Sequence, residues 1–204
     1  GLLSYLRCTA TELSLLTTVD LLCHGVPSPK VWETYIKQLE QKYCSKIVSV
    51  NFRDKTYGWD HFALVIKFEN GKKLIEDFYN NLYMRGFLAN FYLRKSCYHC
   101  NFKGIDRNSD ITIGDFLRVG LSYPDLNDNK GISMLMINSE KGLALWNCIE
   151  NKFRNIEVPV VKVVMHNHYA VEYPEKSRLR TQFEEQFEES QDIEKKLKTY
   201  LKLI

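Results

Sequence analysis

Apolar positions along the chain fall into short blocks of two kinds, spaced either every second residue or every third to fourth. These periods mark strands and helices respectively. "LLTTVDLLC" (Leu15 to Cys23) is apolar and β-branched and reads as a buried strand running into the turn "HGVPSP". Ser28 is then placed as an N-cap with Pro29 at the first helical position. Val31, Tyr35, Ile36 and Leu39 share one face of a helix that ends near Tyr43. In "HFALVIKFEN" Phe62, Leu64, Ile66 and Phe68 alternate with more polar neighbours, and Asn70-Gly71 is a strong hairpin signal. Three antiparallel strands are therefore predicted between about Ile47 and Phe78. "NLYMRGFLANFYLRKS" is apolar at helical intervals and predicts a helix running up to Cys97. "SDITIGDF" and "GISMLMIN" predict strands, and "SEKGLALWNCIENKF" a helix capped at Ser139 or Glu140. "VPVVKVVMH" reads as strand-like, with an irregular segment after it, and Phe183 to Ile204 as a helical tail. The pattern gives an α/β (α+β) fold: a mixed sheet with an antiparallel hairpin portion, flanking helices and a C-terminal helical tail. The expected division is a domain over 1–182 and the tail over 183–204.

Composition narrows the class without naming a partner. The chain has 204 residues, of which 45% are hydrophobic and 13% aromatic, enough for a packed core. With 28 basic and 25 acidic residues the net charge is only +3, so no nucleic-acid partner is expected. The most apolar run is broken by Asp20 and by threonines, so no membrane insertion is expected either. "GLLSYLRC" lacks the character of a secretory signal and has no initiator Met. The chain is therefore expected to begin inside a longer reading frame.

Six cysteines (Cys8, Cys23, Cys44, Cys97, Cys100 and Cys148) are too few and too irregularly spaced for a disulfide scaffold, which points to a reducing cytoplasm. Cys8, Cys44 and Cys148 read as small packing residues. Cys97 and Cys100 form a Cys-x-x-Cys pair, whose thiolates can hold one ion or cluster through a turn. Cys23, at a predicted strand end, is a third candidate. Four readings stay open on spacing alone. They are a zinc knuckle with two of Cys23, His24 and His99, an iron–sulfur site, a redox pair, and inert thiols.

Arg94, Lys95, Lys103 and Arg107 surround the pair, followed by Ser109, Asp110, Thr112 and Asp115. This is either a solvated loop with local turns or an anion site for the phosphates of a nucleotide cofactor. "NFRDKTYGWDHF" gathers Arg53, Asp54, Lys55, Tyr57, Trp59 and His61, which could grip a phosphate or stack on a planar ring, or simply form a hairpin loop. His166 and His168 alternate as in a strand and read as surface residues.

Two stretches together say more. "TVDLLCHGVPSPKVWETYI" (Thr18 to Ile36) and "SCYHCNFKGIDRNSDITIGDF" (Ser96 to Phe116) resemble the C-terminal domain of the coenzyme F-420 hydrogenase/dehydrogenase beta-subunit family. "VNFRDKTYGW", "YMRGFL" and "NDNKGISMLMINSEKG" extend the resemblance, which runs from Gly1 to about Phe183 and looks like the bacterial branch. It implies an iron–sulfur flavoprotein oxidoreductase that passes electrons between a [4Fe–4S] cluster, FAD and an acceptor, with a ferredoxin-like electron partner. Many bacterial members sit in polysaccharide-synthesis loci. Carried over, the metal ligands are Cys23, Cys97 and Cys100, with a fourth cysteine expected upstream of Gly1. For the flavin, side-chain chemistry points to Lys103 and Arg107 toward phosphate, Asp110, Thr112, Gly114 and Asp115 shaping the pocket, and Arg53 as a second anion contact. Relatives often carry Trp after Gly-Asp-Phe where this chain has Leu117. His24 is the candidate acid–base residue. The competing expectation is a zinc-knuckle binding or docking module without redox activity.

Overall fold

The computed structural model describes residues 5, 6, 8, 9, 15–189 and 192–202, without the side chains of 188 and 189. In chain order, the elements that matter for the site begin with β1 (Val19–Leu21), α1 (Pro29–Tyr43), β2 (Ile47–Asp54), β3 (Ala63–Phe68), β4 (Lys73–Asp77) and α2 (Leu82–Leu88). They continue with β5 (Ile111–Asp115), β6 (Ser133–Ile137), α3 (Glu140–Ile149), α4 (Val160–His166), α5 (Arg180–Glu189) and α6 (Ile193–Leu201). The chain divides into two compact units, one of residues 1–24 and 101–172 and the other of residues 25–100 and 173–204. Both are mixtures of helix and strand, so the α/β class expected from the pattern holds.

The first unit is built on a mixed sheet in the order β1-β5-β6. β1 runs parallel to β5, pairing Val19 with Ile111 and Leu21 with Ile113, and β6 is antiparallel to β5. The strand expected from Leu15 is shorter than its apolar run, and Leu15 is 92% exposed. The reason lies at Thr18, whose N–H is taken by the Asp110 carboxylate at 2.8 Å, so the ladder starts one residue later. After β6, Ser139 caps α3 by accepting the Gly142 N–H at 3.1 Å, as the sequence predicts.

"VPVVKVVMH" departs from the expected strand and forms α4. Pro159, with φ −60°, leads into the first turn, and Val163 and His166 are buried three residues apart on one face. The helix penalty of valine is a few tenths of a kcal/mol, about 0.5 per residue, and burial of that face outweighs it. His166, expected at the surface, is buried with its ring stacked on Phe116 at 4.2 Å, whereas His168 is exposed. Leu22, Phe116, Val119, Met134, Val163 and Ala170 form this unit's core.

The second unit carries α1 and an antiparallel sheet in the order β2-β3-β4. Val31, Tyr35 and Leu39 form the buried stripe of α1, and Pro29 opens it. Because β3 lies between two strands, every residue of it except Lys67 is buried, although its sequence alternates only partly. Gly71 takes φ 80° at the β3–β4 turn, as Asn-Gly turns require.

α2 stops well before Cys97, contrary to the long helix expected there. Asn90 adopts φ 60°, and the consecutive residues Phe91, Tyr92 and Leu93 are all buried, which an extended segment achieves and an amphipathic helix does not. Leu93 pairs with Pro27 instead. The C-terminal helices α5 and α6 place Phe183, Phe187, Ile193, Leu197, Tyr200 and Leu201 in the same core as Val31, Tyr35 and Leu39. Cys8, Cys44 and Cys148 are exposed, correcting their reading as packing residues, and Cys44 is the left-handed C-cap of α1.

Candidate functional site

In the second unit the two motif stretches meet through their backbones. Ser28 N–H donates to the Tyr92 carbonyl at 2.7 Å and Arg94 N–H to the Val26 carbonyl at 2.8 Å, around the Pro27–Leu93 bridge. Residues 26–28 thus lie antiparallel to 92–94. Gly25 passes so close to Leu93 that an added Cβ would come within 2.9 Å of its side chain. From Arg94 the chain enters a single tight helical turn, Lys95–His99, closed by the Cys97 N–H on the Arg94 carbonyl at 2.9 Å. Cys97 Sγ in turn accepts the Val26 N–H at 3.3 Å. Cys97 and Cys100 are partly buried, and Tyr98 between them is buried. Arg94 and Lys95 are exposed beside the turn.

Cys23 belongs to the first unit. It is exposed, just past β1, and Leu22 N–H still donates to the Ile113 carbonyl at 2.8 Å. Lys103 Nζ donates to the carbonyl of Cys23 at 2.7 Å and to that of Tyr169 at 2.8 Å, lying over the Tyr169 ring at 5.3 Å. Next to Cys23, the His24 ring stacks on Tyr169 at 4.5 Å. The backbone at Cys23 is thereby tied down by a lysine that its chemistry in the sequence suggests for phosphate.

The remaining residues expected at a flavin are engaged within the protein. Arg107 donates to Asp20 at 3.3 Å and to the Phe102 carbonyl at 2.7 Å, and its Nε, like Asp20 Oδ1, is buried without a hydrogen bond. Asp110 accepts from Thr18, from Ser139 Oγ at 2.6 Å and pairs with Lys141 at 3.4 Å. Thr112 is fully buried, its Oγ1 accepting from Asn138 at 2.9 Å. Gly114 packs on Leu22, where a Cβ would approach within 3.0 Å. The carbonyl of Asp115 accepts from Asn167 at 3.2 Å. The Leu117 carbonyl accepts from His166 Nδ1 at 2.6 Å, and Ser122 lies on the other ring nitrogen at 2.8 Å. In the second unit Arg53 lies over the rings of Phe62, at 4.3 Å, and Trp59, at 5.4 Å.

Among the described residues no three His, Cys, Asp or Glu side chains are gathered as an ion-holding group. The thiol pair nonetheless suits a thiolate-ligated group in one respect: a backbone N–H points at Cys97 Sγ, the contact that offsets charge on a ligating sulfur. Sequence reasoning misses Val26 in this role. A residue in a Val-Pro turn is legible as loop, but which amide faces which sulfur depends on the long-range pairing of 26–28 with 92–94.

Fold and site together define a two-unit α/β protein whose Cys-x-x-Cys turn is anchored through main-chain groups to the segment that follows Cys23. Over residues 5–160 the chain matches the profile that describes the C terminus of the coenzyme F420 hydrogenase/dehydrogenase beta subunit, and it belongs to that family. No curated protein and no solved structure gives a significant match. The membership makes the chain a redox subunit of the hydrogenase/dehydrogenase type. No helix among the described residues is long and apolar enough to cross a membrane.

Proposed function

We propose that the protein is an iron–sulfur electron-transfer subunit in which Cys23, Cys97 and Cys100 ligate a [4Fe–4S] cluster, with FAD as the second redox group and a ferredoxin-like protein as electron partner. The observation that carries this reading is the pairing of residues 26–28 with 92–94. It ties the Cys97 turn to Val26, three positions after Cys23 in the sequence. A cubane takes a fourth ligand, for which none of these three thiols stands in.

A cluster supplies one-electron transfer, and FAD converts between hydride and single electrons. The protein's own part is positional. Val26 N–H offsets charge on the Cys97 sulfur, and Lys103 fixes the main chain at Cys23 through its carbonyl. His24, held by its stack on Tyr169, is the side chain proposed to handle a proton. The residues expected at FAD are engaged in hydrogen bonds and packing within the protein itself.

Anaerobic purification followed by iron, sulfide and zinc analysis and a visible spectrum tests the proposal. About four irons with equal sulfide and a releasable flavin are expected, and Cys97→Ser and Cys23→Ser should each lose most of the iron. One bound zinc in a colourless protein would establish the binding-module alternative instead.

A further inference from the structure

Tyr98 stands between the two cysteines, and its side chain is held by two residues. Its hydroxyl donates to the Asn90 carbonyl at 2.7 Å and accepts from the guanidinium of Arg180, which also lies over the Tyr98 ring, 4.6 Å from its centroid. Arg180 is only 3% exposed and its other end pairs with Glu184, whose side chain is 42% exposed. Asn90, which supplies the carbonyl, donates its own side-chain amide to the Glu175 carbonyl at 2.9 Å. The C-terminal segment therefore grips the cysteine turn twice, at Glu175 through Asn90 and at Arg180 through Tyr98.

A single helical turn of five residues has little stability of its own, since nucleation costs more than its few hydrogen bonds return. Its conformation is set by what holds it. The Val26 N–H constrains Cys97, while Tyr98 is fixed by Arg180 and Asn90. A buried guanidinium is costly unless it is paired, and this one is engaged by a tyrosine hydroxyl, an aromatic face and one half-exposed carboxylate. Of the residues that hold the turn, Val26, Asn90 and Tyr98 lie within the stretch that matches the family, whereas Glu175, Arg180 and Glu184 lie beyond residue 160.

We infer that Arg180 is a positioning residue: with Tyr98 it forms a strut that holds Cys97 and Cys100 in ligating geometry, and its charge, tempered by Glu184, raises the reduction potential of the group they hold. The first part concerns the thiols alone. The second rests on the cluster reading above.

The strut is tested on the full chain by measuring alkylation rates of each cysteine by mass spectrometry, with exposed Cys44 and Cys148 as internal references. Arg180→Gln and Tyr98→Phe should each speed modification of Cys97 and Cys100 about tenfold, as loss of a buried charge-assisted hydrogen bond implies, and leave the reference cysteines unchanged. Arg180→Lys should restore most of the protection. Tyr98→Phe keeps the ring and its packing, so it reads the strut even if Arg180→Gln does not fold. Unchanged rates at Cys97 and Cys100 in Tyr98→Phe overturn the strut. In the reconstituted protein, Arg180→Gln should lower the midpoint potential and Glu184→Gln should raise it, opposite signs that lost packing does not produce. Shifts of the same sign, or none, overturn the charge role. Absence of iron and sulfide from the unaltered chain would remove the cluster reading and its charge role, while alkylation would still decide the strut.

Discussion

The carboxylate of Asp110 accepts from Ser139 Oγ at 2.6 Å and from the amide and hydroxyl of Thr18, both at 2.8 Å, with Lys141 3.4 Å away. Burial alone would raise its pKa, but these hydrogen bonds and the lysine charge outweigh burial and lower it from 3.8 to about 2. A depressed carboxylate contributes stability that is present above its unfolded value and lost as pH falls through the folded one. Unfolding titrations should therefore show the first unit weakening between about pH 4 and pH 2, and Asp110→Asn should remove that limb while costing about 1–2 kcal/mol at neutral pH. Beside it, a Cβ on Gly142 would overlap the Asp110 carbonyl oxygen, a backbone atom that cannot swing away. Gly142→Ala should thus destabilise by about 1–3 kcal/mol in denaturant melts, although alanine is the better helix former by about 1 kcal/mol. A stabilised variant would mean that α3 shifts freely against β5. Neither role is legible in "SDITIGDF" or "SEKGLA", because each depends on partners distant in sequence, Ser139 at 29 residues and Thr18 at 92 in the case of Asp110.

At the scale of elements, local chemistry is legible and tertiary demand is not. Pro29 and Ser139 announce their helices, and Asn70-Gly71 announces its hairpin. α2 and α4 escape the pattern because periodicity cannot say whether an apolar run is buried on one side or all round. What fixes α2 is Asn81, which is 1% exposed. Its Oδ1 accepts the Met84 N–H at 2.9 Å, and its amide donates to Tyr35 OH at 2.9 Å and Glu76 at 2.7 Å. One side chain joins α1, β4 and the start of α2. Asn81→Ala should cost about 2–4 kcal/mol, the sum of a lost cap and stranded buried partners, read as a shift in denaturation midpoint. Asn81→Asp keeps the cap but sets a second carboxylate against Glu76, so its deficit should shrink as pH is lowered. A loss below 0.5 kcal/mol in Asn81→Ala, about the size of a surface change, would contradict this account.

For the molecule as a whole, the stretch that carries the family pattern is not the stretch that completes the fold. The family match ends at residue 160, yet Phe183, Phe187, Ile193, Leu197, Tyr200 and Leu201 share one core with Tyr35, Leu64, Tyr83 and Phe91. In sequence these helices read as a tail because they are rich in Glu and Lys; their apolar residues, at helical spacing, are visible there, but the surface they cover is not. Burying six such side chains contributes roughly 12 kcal/mol at about 2 kcal/mol each, an upper estimate that is as large as the whole stability of a typical domain. A chain ended at Arg178 should therefore lose the second unit as a cooperative structure. In amide exchange β3 should lose its protection, and the Cys97 turn, deprived of Arg180, should lose it too. The first unit has its own core and its own sheet, so β5 should retain protection in the same molecule. Full protection of β3 in the shortened chain would show that the C-terminal helices decorate the second unit instead of completing it, and Tyr98 would then have to be held without Arg180.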